Sequence, residues 1–442
     1  VKAVALAIEE RTPRGIATGI ARLITTGDLA PGDRLPTVRE LAVDLGVSPA
    51  TVSHAWQTLA TAGLITSRGR SGSFVRSVPR EWLPRRYQGL DGAHEARLDL
   101  SRGTPDPELL PPLGPALARM SGLADTQSYT QKPDIPELHD LLRATWPAPV
   151  ESITVTNGAM DAVDRALAAI VRFGDRIVLE DPCFPPFIDL VEQHGLDAVP
   201  VPLDGEGMQP EAFARALGLG PSVVLLQPRA HNPTGVSMTP ARADELAGLL
   251  RRSRAAEHTI VIEDDHSAGI SRADGSASLA RRLPDRVLHA RSFAKTHGPD
   301  LRIGALGGPR PLVDRVVARR LLGPGWTSRM MQAILHELLS DADSVARVAH
   351  ARDEYAARQR ALAAALEAHG VPTTVRDGLN LALPVADERA AIVQLAAAGI
   401  RVAPGTPFQV AAGDPFVRVT VGLVPAASAD AVAAALAAAT VA

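Results

Sequence analysis

Between residues 13 and 76 the apolar positions fall first at helical spacing and then in two short runs. Ile16, Ile20, Leu23 and Ile24 share one helical face, and Gly27 marks that helix's end. "TVRELAVDLG" opens on Thr37, carries Glu40 at the capping-box position and closes on Gly46. Ser48 precedes a further helical stretch, "PATVSHAWQTLATAG", with Pro49 at its first position. Two short helices around "GVS" predict a helix-turn-helix. "LITSRGRSGSFV" then places two β-prone runs around a Gly/Arg/Ser tip, which predicts a wing. Val47, Val52, Leu59, Leu64 and Ile65 supply the expected core.

Residues 77–96 mix proline, glycine and charge without a usable period and read as a linker. From about Leu98 the pattern changes again. "SITVTNGA", "DRIVLEDP", "PSVVLLQP", "HTIVIEDD" and "DRVLHARSF" are apolar runs ending in polar, Gly or Pro residues, with helical stretches such as "GLLRRS" and "DLVEQHG" between them. Near-continuous apolar strands alternating with helices predict a mostly parallel α/β sheet. Such sheets bind ligands beyond the C-terminal ends of their strands. The expected organisation is therefore a head at 1–76, a linker at 77–96 and a body at 97–442.

Composition narrows this picture. Hydrophobic residues form 46% of the chain and charged residues 21%, a globular profile, and 442 residues exceed one ordinary core. The single cysteine, Cys183, excludes an intramolecular disulfide and a cysteine-only metal site; no metal site is expected. No apolar run is long enough to span a membrane, and Glu9 and Glu10 interrupt any signal-peptide pattern, so a cytoplasmic location without membrane association is expected. Residues 1–90 carry a net charge of +5 and the remainder −8, the asymmetry of a chain whose head alone meets a polyanion.

In a helix-turn-helix the start of the second helix faces base edges. Ser48, Thr51, Ser53 and His54 stand there, and Arg39, Arg68 and Arg70 are placed for phosphates or a groove edge. In the body, Lys295 follows a strand end. Asp264 closes "VIED", Asn232 lies in "HNPTG", and Gly158, Ala159 and Met160 open a helix. Phe184 follows "EDPC", while Ser292 and Arg302 flank the lysine. Pyridoxal phosphate would use them all: an amine for its aldehyde, a carboxylate for its pyridine nitrogen, an aromatic face, and donors for its phosphate. A lysine buried near Arg302 should have a depressed pKa and a nucleophilic amine.

The head, over nearly all of residues 13–76, resembles the winged-helix domain of GntR-family bacterial regulators. In that family the arginine before "EL", here Arg39, and the start of the recognition helix contact operator DNA. The body resembles fold-type I aminotransferases over 97–442. That implies a mostly parallel seven-stranded sheet with a small C-terminal α+β domain. It also implies Lys295 as the Schiff-base lysine, Asp264 at the pyridine nitrogen and Asn232 at the ring hydroxyl. Ser292, Arg302, Gly158 and Ala159 become phosphate ligands, Tyr129 reaches the neighbouring subunit's phosphate, and Arg418 in "PFVRVTVGL" binds a substrate carboxylate. Three positions depart from the family pattern. His266 stands where a tyrosine is usual, and as an imidazole it should titrate near neutrality. Phe184 lacks the stacking tyrosine's hydroxyl, and no glycine follows Tyr129.

Together the halves resemble the MocR subfamily. The resemblance implies a homodimeric transcription regulator that binds operator DNA and senses pyridoxal phosphate, an amino acid or an amine. An active aminotransferase with a fused DNA-binding domain is the rival reading. A cofactor-storage or structural dimer is a third.

Overall fold

The computed structural model describes all residues except 1–3, 6, 7, 9, 27, 31, 62, 63, 68–71, 76–83, 89–95, 120–129 and 442. Gly27, Arg68, Arg70, Tyr129 and most of the expected linker thus lie outside the described residues. The chain forms two compact units. One contains the residues up to Arg85 with Arg172–Ile177 and Pro186–Ala198, and the other contains Arg86–Val171, Val178–Pro185 and Val199–Ala442.

In the first unit, α1 (Pro13–Thr26), α2 (Val38–Leu45) and α3 (Pro49–Thr61) are followed by β1 (Ile65–Ser67) and β2 (Ser73–Val75). The Thr37 hydroxyl accepts from the Glu40 N–H at 3.2 Å, and the Glu40 carboxylate accepts from the Thr37 N–H at 2.8 Å. This reciprocal cap satisfies donors that a helix start leaves orphaned. Ser48 Oγ accepts from the Thr51 N–H at 3.2 Å, so α3 begins where the sequence places it. β1 and β2 pair antiparallel with Ile65 opposite Val75. Ile16, Ile20, Leu41, Val52, Leu59 and Ile65 close a core of their own.

The second unit contains an eight-stranded sheet, except for Arg176, Ile177, Asp197 and Ala198, the first two residues of two of its strands. Its strands are β4 (Ser152–Thr156), β5 (Arg176–Asp181), β6 (Asp197–Asp204), β7 (Gly207–Met208), β8 (Val223–Leu226), β9 (Ile260–Asp265), β10 (Val287–Ser292) and β11 (Gly304–Gly308), following the two-residue β3 (Leu98–Asp99). Their order is β4-β11-β10-β9-β8-β5-β6-β7. Seven strands were expected from the resemblance; β7 adds an eighth, pairing antiparallel with the end of β6 at the sheet edge. β8, β9 and β10 run parallel, and β11 runs antiparallel to both β10 and β4. Every residue of β8 is buried, as expected for a strand covered on both faces.

A separate three-stranded sheet, β12 (Asn380–Pro384), β15 (Phe416–Thr420) and β14 (Ala403–Pro404), forms the C-terminal layer. The short β13 (Ile400–Arg401) pairs parallel with β3, so the strand that follows the linker joins this layer. Leu100, Leu381, Val417, Val419 and Leu436 make its core.

Candidate functional site

Strand register gathers most of the expected residues at one sheet edge. Ser292, the last residue of β10, is opposite Gly304, and Gly304 is opposite Thr156. On the other side of β10, Ala290 faces Asp264 of β9. After Thr156 the chain turns at Gly158, whose φ of 92° no L side chain adopts comfortably, and enters α4 (Ala159–Ile170). Gly304 lets β11 pass beneath this turn: a Cβ there would lie 2.8 Å from the Gly158 carbonyl carbon and 3.0 Å from the Ala159 nitrogen. The Arg302 guanidinium borders the same turn, lying 3.6 Å from where a Gly158 Cβ would be. Ser292 Oγ accepts from the Ala294 N–H at 3.2 Å, which leaves its own proton for another acceptor. Met160 is half-buried in the first turn of α4.

Lys295 lies in α5 (Ala294–His297), directly beyond β10, and its Nζ donates to the Gly103 carbonyl at 2.5 Å. Burial and, after it, the Arg418 guanidinium lower its pKa to about 8 against the opposing pull of Asp264. The depressed amine agrees with the sequence reading, but the cation responsible is Arg418. Arg302 is exposed and points to the α4 turn instead.

Asp264 is buried, and burial raises its carboxyl to about 7. Its Oδ2 accepts from Gln227 Nε2 at 2.8 Å, while Oδ1 has no partner among the described residues. The Asn232 side-chain oxygen and His266 Nδ1 are likewise buried and unpartnered. His266 Nδ1 stands 3.7 Å from Asp264 Oδ2, too far for a hydrogen bond. Titration near neutrality was expected for His266. Burial, and then the Lys295 charge, pull it down to about 4, so the ring is neutral at physiological pH.

Arg418 is buried on β15. It donates to the Ser101 carbonyl and, at 3.4 Å, to Asn380 Oδ1, and its guanidinium lies 5.4 Å from the centre of the Phe408 ring. Burial lowers its pKa to about 10. Phe184 is half-buried beyond β5, and the preceding Cys183 N–H donates to the Phe408 carbonyl at 2.7 Å.

Behind Asp264 lies a buried ionic row that the sequence reading missed. Asp265 pairs with Arg229, and His289 stands 2.8 Å from Glu263 and 3.2 Å from Asp265. Although burial opposes it, the neighbouring Asp265 and Glu263 carboxylates, the latter hydrogen-bonded to Nδ1, hold the imidazole pKa up at about 9. Gln227, Ser101, Gly103 and Asn380 were also missed. Gln227 stands at a strand's C-terminal end, where the rule that singled out Asp264 applies equally; the others meet the site only through tertiary contacts.

In the first unit Arg39, Ser48 and His54 are exposed, while Thr51 and Ser53 are half-buried on α3. Ser48 Oγ and Thr51 Oγ1 are hydrogen-bonded at 2.8 Å, so Ser48 is partly engaged in capping.

The orphaned atoms suit a flat heteroaromatic anion. Asp264 Oδ1 can accept from a ring N–H, the Asn232 amide N–H and a neutral His266 N–H can donate to a ring oxygen, and the Gly158–Ala159 turn, Ser292 and Arg302 can meet a phosphate. A winged helix ahead of such a sheet, with a lysine just past a central strand, defines a regulator-like chain with the fold of pyridoxal-phosphate-dependent aminotransferases. Comparison with known proteins bears this out. Residues 97–436 match the aminotransferase class I and II family, and residues 13–75 match the gntR family of bacterial regulatory proteins. The vitamin B6 salvage pathway transcriptional repressor PtsJ of Salmonella typhimurium is 38% identical over 93% of this chain and 95% of its own. The HTH-type transcriptional regulator TauR of Rhodobacter capsulatus is 27% identical over 87% of each chain. The α-aminoadipate aminotransferase LysN from Thermus thermophilus, solved with N-(5'-phosphopyridoxyl)-L-leucine, superposes with a TM-score of 0.69 over 78% of this chain and 92% of its own, at 22% identity. The chain belongs to the MocR-type transcriptional regulators, in which a GntR helix-turn-helix is fused to an aminotransferase class I and II domain.

Proposed function

We propose that this regulator binds pyridoxal phosphate through Lys295 and that occupancy of the site changes its affinity for operator DNA. The observation that carries the reading is the lysine itself. An amine with a lowered pKa lies within electrostatic reach of a buried carboxyl whose free oxygen lacks a donor, in a chain that also carries a winged helix. The similarity to a repressor of a vitamin B6 salvage pathway supports a ligand of the vitamin B6 class. Domain limits of 1–76, 77–96 and 97–442 are part of the proposal, as is a homodimer in which Tyr129 reaches the neighbouring phosphate.

When bound, pyridoxal phosphate supplies an electrophilic aldehyde on an electron-poor ring. Lys295 offers the neutral amine, because burial and Arg418 disfavour its charged form. Asp264 holds a proton at the ring nitrogen through Oδ1, and Asn232 and His266 meet the ring oxygen. Ser292, Arg302 and the N–H groups at Gly158 and Ala159 hold the phosphate, with Met160 and Phe184 lining the site. Arg418, released from Ser101 and Asn380, binds the carboxylate of an incoming amino compound. Arg39, Ser48, Thr51, Ser53, His54, Arg68 and Arg70 face DNA. To act as a switch, the ligand must bind two arrangements of the protein unequally, and a coupling of about 1–3 kcal/mol suffices to alter DNA occupancy several-fold.

Absorbance titration of the full-length protein and of Lys295→Ala with pyridoxal phosphate tests the site. A visible band that borohydride fixes covalently, absent from the variant, is expected. DNA chosen by selection from a random pool should then bind differently with and without the cofactor. A colourless protein overturns the site, and DNA affinity indifferent to cofactor and amines overturns the switch. Multiple turnover with a 2-oxo acid would favour the aminotransferase reading.

A further inference from the structure

Gln227 immediately follows β8 and uses three polar groups inward. Its Nε2 donates to Asp264 Oδ2, its Oε1 accepts from the Asn232 N–H, and its own N–H donates to Glu180 Oε2, each at 2.8 Å. All four residues are buried. One oxygen of Asp264 is thereby occupied and the other left without a donor, while the backbone at Asn232 is tied and its side-chain oxygen left unpartnered. The residue type matters. A cation at 227 would neutralise Asp264 and compete with a protonated ring nitrogen, whereas an apolar side chain would leave a buried carboxyl with neither oxygen satisfied. A neutral amide fixes the carboxyl's orientation without satisfying it. Glu180 closes the far end of this chain, 3.4 Å from His231 Nε2. Burial raises the Glu180 carboxyl well above its ordinary range, and burial lowers His231 to about 3, so the imidazole is neutral.

We propose that Gln227 is the positioning residue of the ring-binding pair, turning Asp264 so that Oδ1 is kept for the ring nitrogen and fixing the backbone that carries the Asn232 amide. The inference rests on the cofactor reading above. Its test uses the full-length protein carrying Gln227→Met, which keeps side-chain length without hydrogen bonds, and Gln227→Asn, which keeps an amide but is one methylene short. Each is titrated with pyridoxal phosphate in the native background and in Asp264→Ala, with folding followed by circular dichroism. Both variants should bind at least about tenfold more weakly, since Met loses both side-chain hydrogen bonds and the shorter Asn cannot span Asp264 and the Asn232 N–H together. The pH midpoint of their visible band should move as well. In Asp264→Ala the same substitutions should cost only about twofold to threefold, because the hydrogen bond to Asp264 is gone and only the Asn232 backbone contact remains to be disturbed. Native-like binding by both folded variants, or an undiminished loss in the Asp264→Ala background, would overturn the role. If the Met variant does not fold, the Asn variant gives the same comparison. An unmodified protein that develops no band defeats the cofactor reading itself, and so is distinguished from failure of this inference.

Discussion

At the scale of single residues, the site turns on how burial sets protonation. Lys295 stands near 8 rather than at its ordinary 10.5, because its charged form is desolvated and faces Arg418. Its neutral fraction therefore rises as pH rises through about 8. The rate of covalent capture of pyridoxal phosphate should rise through that pH and level off above it. Replacing Arg418 with leucine removes a like charge and should move the midpoint upward. A rate still climbing past pH 10 in the unmodified protein would contradict the assignment. Strand ends and motif spacing singled out Lys295, Asp264 and Asn232 as candidates. Their protonation was not: His266 as an isolated imidazole titrates near neutrality, and only its enclosure beside Lys295 pulls it to about 4.

At the scale of elements, close approach between backbone segments decides whether the candidate phosphate site exists. β11 passes so near the β4–α4 turn that Gly304→Ala would bring a methyl group to 2.8 Å from Gly158. Overpacking of this kind costs about 1–3 kcal/mol, and here it would displace the turn. The variant should lose affinity for pyridoxal phosphate by roughly tenfold or more, and lose much less for pyridoxal, which lacks the phosphate. Equal losses for the two ligands would remove the turn from the phosphate site. The His289 row makes a second demand on β9 and β10. With its folded pKa raised from 6.5 to about 9, His289 contributes stability that is complete below 6.5 and is lost as pH rises through 9. Chemical unfolding should show stability falling across that window, and His289→Phe should flatten the fall. By stranding buried carboxylates the variant should also cost about 3 kcal/mol. Five of the eight strands, β4, β5, β8, β9 and β10, were readable from apolar runs, whereas the prolines of β6 and the glycines of β11 left those two unread. β7 escaped because two residues carry no periodic signal.

At the scale of the whole molecule, charge is divided unevenly, with +5 over residues 1–90 and −8 over the remainder. DNA affinity should therefore fall steeply with salt as counterions are released. Capture of pyridoxal phosphate by a single amine in the second unit should change little over the same range. Filter binding and absorbance titration at about 50 and 200 mM salt would separate the two, and parallel slopes would count against a head that alone meets the polyanion.

Local rules carried the sequence a long way. Caps at Thr37 and Ser48, the turn at Gly158 and the polar endings of apolar strands are set by interactions within a few residues, so they could be read from order along the chain. Arg418 near Lys295, Gly103 under the lysine amine, Gln227 between Asp264 and Glu180, and Gly304 beneath Gly158 join residues far apart in the chain. Those contacts were fixed only when strands paired in register and the C-terminal layer closed. Desolvation and close approach depend on neighbours in space, which order along the chain does not specify.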